Sequence, residues 1–209
     1  LIVWFYTYRN GIGTIVWTDM LQTILLVISL VMLIRALIDM SNITLGDAVT
    51  IIYESPLSKI FEWDDWTDRQ HFVKQFLNGV FIVVVMTGLD QDMMQKNLSC
   101  KTLKESQRNM LTYGVLFLPL NLLFLSLGLL IVWFYTKDGG VLPVTGDALL
   151  PYFAKNAGEL ATACFVVGML ASSFSSVDSA ITSITTSLAN DFKKKEIDKK
   201  YRMMIHALV

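Results

Sequence analysis

The chain has 209 residues, of which 54% are hydrophobic and 17% are charged, and its net charge is −1. A soluble domain of this size normally has about 25% charged residues, so the composition argues against an ordinary soluble domain. The near-neutral charge gives no indication of nucleic-acid binding. Two cysteines are too few for a disulfide framework. The composition favours an all-α membrane protein.

Long uncharged apolar stretches recur along the chain, and about 20 such residues in a helix cross the hydrocarbon of a bilayer. We predict a helix end at residues 1–8 and the start of another helix at residues 203–209. We therefore interpret residues 1–209 as a single transmembrane domain fragment of a longer chain. Between these ends we predict four spans, at about 14–38, 75–91, 109–136 and 160–190.

Two of the predicted spans carry residues that disturb a straight helix. The segment 75–91 is short for a straight span and contains Gly79 and Gly88, so we expect it to be interrupted. Pro119 predicts a kink in the third span, because proline removes a backbone hydrogen bond.

The distribution of charged residues predicts the topology. Lysine and arginine cluster at 92–108 and 191–202, whereas acids dominate 39–74 and the segment 137–158 is nearly neutral. Basic loops stay in the cytoplasm, so we place these two basic loops and the turn at 9–13 inside, and the other two segments outside. The alternation is consistent with four spans. We expect a multi-pass integral membrane protein in contact with the lipid bilayer of the cytoplasmic (inner) or plasma membrane.

The fourth span carries hydroxyl groups at helical spacing. They lie three or four residues apart, so they share one face of the helix: Ser172, Ser175, Ser176, Ser179 and Ser183. Close packing against a neighbouring helix is one explanation, because small residues let backbones approach. Packing does not explain Asp178, which lies in the same stretch.

Asp19 and Asp178 are carboxylates within predicted spans. Each costs roughly 2.5–3.5 kcal/mol on insertion scales and therefore needs a partner. No lysine or arginine is expected at matching depth, because Arg35 lies near the other end of its helix from Asp19. A cation from solution is the expected partner. Sodium prefers oxygen ligands, whereas His71 and His206 are isolated outside the spans and do not indicate a transition metal. We expect the two carboxylates to approach each other.

Three motifs resemble those of the sodium:solute symporter family. Residues 11–22 read GIGTIVWTDMLQ, residues 89–96 read LDQDMMQK and are followed by KTLKES at 101–106, and residues 175–192 contain SSVDS and NDF. Their order matches core helices five to eight of that family. The resemblance implies a partial leucine-transporter-like (LeuT-like) inverted-repeat transporter fold with its sites near the bilayer midplane.

The resemblance also implies a main sodium site on the fourth span. Ser175 and Ser176 would supply hydroxyl oxygens, and Ser172 would supply a backbone carbonyl. The rest of that site would belong to the first core helix of the family, which does not correspond to any of these residues.

A second sodium site, present in some family members, is implied at Asp19, Ser175, Ser179 and position 178. Members often have a hydroxyl at that last position, whereas this chain has Asp178. The departure changes the charge of the implied site.

The implied function is sodium-coupled import of a small solute by alternating access, with sodium as the coupling ion and no other cofactor. A symporter-like membrane domain of a sensor or signalling protein is the alternative. A channel is disfavoured because the acids are single sites rather than a ring. No nucleophile–base pair or phosphate-binding loop indicates an enzyme. Val83 and Met86 argue against an ordinary sugar site, and the solute is not predicted.

Overall fold

The structure is a computed structural model, and it describes residues 12–192 without the side chains of 12–16, 92, 95, 178 and 189–192. The described chain is helical, with no β-strand among these residues. Three 3₁₀ turns accompany seven α-helices: α1 (Ile12–Ser41), α2 (Leu45–Glu54), α3 (Phe72–Leu89), α4 (Gln91–Leu98), α5 (Leu103–Thr136), α6 (Leu149–Asn156) and α7 (Glu159–Phe192). The predicted helix end at 1–8 and helix start at 203–209 lie outside the described residues.

The four long helices α1, α3, α5 and α7 are long and apolar enough to cross a membrane. Each overlaps one predicted span, because uninterrupted apolar sequence forms helices that satisfy their own backbone hydrogen bonds in hydrocarbon. Five of their eight ends lie two to six residues beyond the predicted bounds, and α3 ends at Leu89, two residues before the predicted end of its span. Helix α5 continues through Pro119 as a single assigned helix.

Helix α3 is not interrupted at either glycine, although the segment 75–91 does contain a break, as expected. It is continuous from Phe72 to Leu89, through both Gly79 and Gly88. The interruption lies at its end, at Asp90, and α4 starts at the next residue. The Asp90 carboxylate accepts a hydrogen bond from the Met93 N–H at 3.1 Å, and its carbonyl accepts one from the Met94 N–H at 3.0 Å. Asp90 therefore ends one helix and caps the next.

The acidic segment between α1 and α3 is ordered by local polar contacts. Thr44 and Asp47 form a reciprocal capping box at the start of α2. Further along, the Lys59 ammonium lies 2.7 Å from Glu62 and 2.9 Å from Asp64. Hydrogen bonds to these two carboxylates raise the pKa of Lys59 to about 12. The polar sequence between the spans therefore holds more regular structure than its composition indicates.

The chain divides into two compact units. Among the described residues, the first unit contains 12–24, 80–113 and 170–192, and the second contains Leu25–Gly79 and Gly114–Met169. Each of the four long helices therefore contributes one end to each unit. The apolar core belongs to the second unit and is formed mainly by Leu30, Leu33, Leu37, Leu127, Leu130, Ile131 and Phe153. The candidate site belongs to the first.

Candidate cation site

Asp19 lies near the start of α1, within the apolar helix that is long enough to span a membrane. Its side chain is 21% exposed. The Ser175 hydroxyl of α7 donates a hydrogen bond of 2.7 Å to the Asp19 Oδ1. The two residues are 156 positions apart in sequence. The structure thus brings together the carboxylate of the first span and one hydroxyl of the fourth, as the second predicted site requires.

Lys96 provides the second partner of Asp19, and here the sequence-based expectation is wrong. Its Nζ lies 2.9 Å from the Asp19 Oδ2. We expected no basic residue at matching depth, because 92–108 was interpreted as a polar loop. Instead, α4 begins directly after Asp90 and carries Lys96 to α1. The intramembrane carboxylate therefore has a cationic partner within the chain, and a cation from solution is not its only means of charge compensation.

The remaining predicted hydroxyl groups lie on α7 but do not all face Asp19. Ser176 is exposed, and its hydroxyl donates to the Ser172 carbonyl oxygen at 3.3 Å. Ser172 is exposed as well, whereas Ser179 is half-buried. The expected sodium ligands Ser172, Ser176 and Ser179 therefore remain predictions, placed on the same helix as Ser175.

Asp178 belongs to α7, but its side chain lies outside the described part of the structure. The expected approach of Asp178 to Asp19 therefore stays a prediction. The only contacts of the Asp19 carboxylate described here are those to Ser175 and Lys96.

Three further polar atoms of the first unit are buried; one belongs to Ser183 on the predicted hydroxyl face, and the other two belong to Gln22 and Thr186, which were not predicted as site residues. Within the described residues, the Gln22 Oε1, the Ser183 Oγ and the Thr186 Oγ1 have no hydrogen-bond partner. Gln22 lies three residues after Asp19 on α1, and the other two lie on α7 beyond Ser175. Buried oxygens without a hydrogen-bond partner are costly, so these atoms are candidates for further polar contacts of the first unit. The signal in the sequence was their helical spacing from Asp19 and Ser175.

The donor atoms of this site are carboxylate, hydroxyl and amide oxygens. Oxygen donors of this kind suit hard cations, whereas soft or borderline metals prefer thiolate and imidazole. In the part of the chain that is described, no group of three or more histidine, cysteine or acidic residues could hold a metal ion.

The residues expected to limit sugar binding lie on α3. Val83 and Met86 are both at least half exposed among the described residues. They present apolar surface without a polar group, which leaves the expectation about sugars as a prediction.

The chain is similar to three transport proteins along most of its length. It is 21% identical to the sodium/sialic acid symporter NanT of Aliivibrio fischeri over 91% of this chain and 38% of the relative. It is 24% identical to the sodium/sialic acid symporter SiaT of Proteus mirabilis over 89% of this chain and 38% of the relative. It is 26% identical to the human sodium-coupled monocarboxylate transporter 2 over 93% of this chain and 32% of the relative.

The chain spans between about a third and two fifths of the length of these relatives. No family model and no solved structure matches it.

Proposed function

We propose that this chain, which is similar to sodium-coupled symporters along about 90% of its length, is part of a sodium:solute symporter that imports a small solute together with sodium by alternating access. The observation that carries the proposal is the Asp19 carboxylate, held by the Ser175 hydroxyl inside an apolar helix. An acid in a membrane span is costly and typically marks an ion pathway. All three relatives are named as transporters rather than enzymes or sensors, so the sensor alternative has no support.

Ser175 is proposed as a ligand in both sodium sites. Its hydroxyl proton is donated to Asp19, and the oxygen keeps its two lone pairs as acceptors. The same oxygen can therefore face a cation while the proton holds the carboxylate. Ser172 and Ser176 would complete the part of the main site on α7.

The second proposed site consists of Asp19, Ser175, Ser179 and Asp178. A carboxylate and hydroxyl oxygens on two helices fit a hard monovalent cation. With Asp178 in place of a hydroxyl, the site would hold two carboxylates, and like charges in a poorly solvated place favour a bound cation.

We further propose a LeuT-like inverted-repeat fold, in a multi-pass protein of the inner or plasma membrane. The break at Asp90 supports it, because it separates α3 from α4 in the segment that resembles the region after the broken sixth core helix. Discontinuous helices are typical of such transporters, where irregular backbone lines a polar site.

The relatives favour a carboxylated solute. Two are named for sialic acid and one for monocarboxylates, and all of these are acids. The apolar side chains of Val83 and Met86 fit a short monocarboxylate better than a polyhydroxylated solute, which needs several hydroxyl-binding groups. Monocarboxylates and sialic acid are therefore the first solutes to test.

The test is solute uptake by the full protein in proteoliposomes, with an inward sodium gradient or with potassium in its place. The panel contains short monocarboxylates, sialic acid and a neutral sugar. We expect sodium-dependent uptake of one acid, and its loss in Asp19→Asn. Asp39→Asn is the matched control, because Asp39 is exposed at the other end of α1 and lies 3.9 Å from Arg35. Uptake that is the same in sodium and potassium would contradict the proposal.

A further inference from the structure

We propose that Lys96 is a built-in cation that competes with sodium for Asp19, so that sodium binding there requires the release of Lys96. The inference rests on the proposed sodium-coupled function. It assigns to Lys96 a positioning role: the lysine sets the apparent sodium affinity of a site in which it is not itself a ligand.

The geometry around Asp19 places the lysine where a cation would bind. One carboxylate oxygen accepts from Ser175 at 2.7 Å, and the other lies 2.9 Å from the Lys96 Nζ. A lysine ammonium has three donors and no lone pair, so it cannot coordinate sodium. While Lys96 remains in contact, it occupies an acceptor position of Oδ2 that a sodium ion would otherwise be able to use.

The charge of Asp19 disfavours simultaneous contact with both cations. The Asp19 carboxylate with either Lys96 or sodium is neutral, whereas with both it carries a net positive charge that only Asp178, the second carboxylate of the proposed site, would offset. The Lys96 and Asp19 side chains are only 27% and 21% exposed, so water screens such a repulsion incompletely. Sodium on Asp19 is therefore expected to expel the ammonium.

The position of Lys96 connects this exchange to the helix break. Lys96 lies on α4, a helix of eight residues that begins immediately after Asp90. The ion pair ties α4 to α1. When sodium replaces the lysine, that ion pair between α4 and α1 is lost. The exchange thus couples occupancy of the cation site to a short segment next to a discontinuity in the helices.

The experiment measures equilibrium binding of radioactive sodium to the purified full protein. Lys96→Met and Lys96→Gln remove the charge and keep most of the side-chain length. We expect both to bind sodium roughly threefold to tenfold more tightly than the wild type, the range for losing a partly exposed ion pair. Lys96→Arg keeps the charge and is expected to keep wild-type affinity.

Lys101→Met is the matched control. Lys101 is an exposed lysine five residues further along the same basic segment, so the variant changes the net charge equally without touching Asp19. We expect wild-type sodium affinity for this variant. A gain equal to that of Lys96→Met would mean that general surface charge, not the ion pair, sets the affinity, and would overturn the inference.

Measurements in the Asp19→Asn variant distinguish a failure of this inference from a failure of the proposed function. In Asp19→Asn the further change Lys96→Met should leave sodium binding unaltered, because the contested carboxylate is gone. Sodium binding by the wild type, with unchanged or weaker binding by folded Lys96→Met and Lys96→Gln, would overturn the role of Lys96 alone. No sodium binding by the wild type would overturn the proposed function and this inference together.

Discussion

The close approach of α1 and α7 in the second unit gives a prediction whose size follows from the geometry. Gly168 of α7 faces Ser29 of α1, which is 3% exposed. A β-carbon added at Gly168 would lie 2.7 Å from the Ser29 Cβ, 3.0 Å from its Oγ and 3.5 Å from the Leu25 carbonyl oxygen. Ordinary carbon–carbon contacts are about 3.5–4.0 Å, so Gly168→Ala forces the two helices apart.

Two opposing effects set the magnitude of this change. Overpacking a close contact costs about 1–3 kcal/mol, while alanine in a helix interior gains about 1 kcal/mol over glycine. Gly168→Ala is therefore expected to lower the free energy of unfolding by up to about 2 kcal/mol. Gly128→Ala on α5 is the matched control, because a β-carbon there meets nothing within 4 Å. It should be neutral or stabilising.

Unfolding of the purified protein by denaturant in detergent micelles measures both variants. Ser29→Gly provides the rescue, because it removes the β-carbon at 2.7 Å. We expect this change to destabilise the wild type but to stabilise Gly168→Ala, a reversal of sign that only a direct steric contact explains. Equal stability of Gly168→Ala and Gly128→Ala would refute the close approach of these helices.

Three other predictions test separate parts of the structure. Ser175→Ala should weaken sodium activation of uptake by roughly 10- to 100-fold, because a hydrogen bond to a charged group contributes about 1.5–3 kcal/mol; unchanged sodium activation would contradict the role of this hydroxyl. Thr44→Ala should cost α2 about 1 kcal/mol by removing its cap, measured as faster amide exchange in that helix, and unchanged exchange would contradict the capping box. The Thr67 hydroxyl and N–H donate to Asp65 and hold its pKa below the usual 3.8. Because the pKa of Asp65 is lower in the folded turn than in the unfolded chain, the ionised carboxylate stabilises the turn at pH values above about 3.8. This stabilisation is lost as the pH falls below about 3.8, so proteolysis of the turn should accelerate there in the wild type but not in Asp65→Asn.

Hydropathy was sufficient to predict the four long helices, because in a membrane protein the apolar runs themselves dictate the element and its length. It was not sufficient for α2, α4 and α6, which are short and lie between the spans. The sequence features that indicate α2 and α4 are local capping residues. Thr44 and Asp47 have capping-box spacing, and Asp90 is a suitable N-cap, yet neither stands out by composition. The same applies to the interruption near α3, which occurs at the capping aspartate and not at the flexible glycines.

The candidate site could be predicted in part. The cost of a buried carboxylate indicated that Asp19 needs a partner, and the hydroxyl spacing of α7 indicated Ser175. The pairing of Asp19 with Lys96 spans 77 residues and depends on how α4 is positioned, which no local pattern encodes. A lysine close in sequence to a predicted membrane helix can therefore satisfy an acid that appears unpaired in the sequence.

Equilibrium binding of sodium to the purified full protein, compared between the wild type and Asp19→Asn, tests directly whether Asp19 belongs to a sodium site. We predict saturable binding by the wild type and by Asp39→Asn, and a loss of at least one bound sodium, or a large drop in affinity, in Asp19→Asn. Identical sodium binding by the wild type and Asp19→Asn would contradict the assignment of Asp19 to a sodium site.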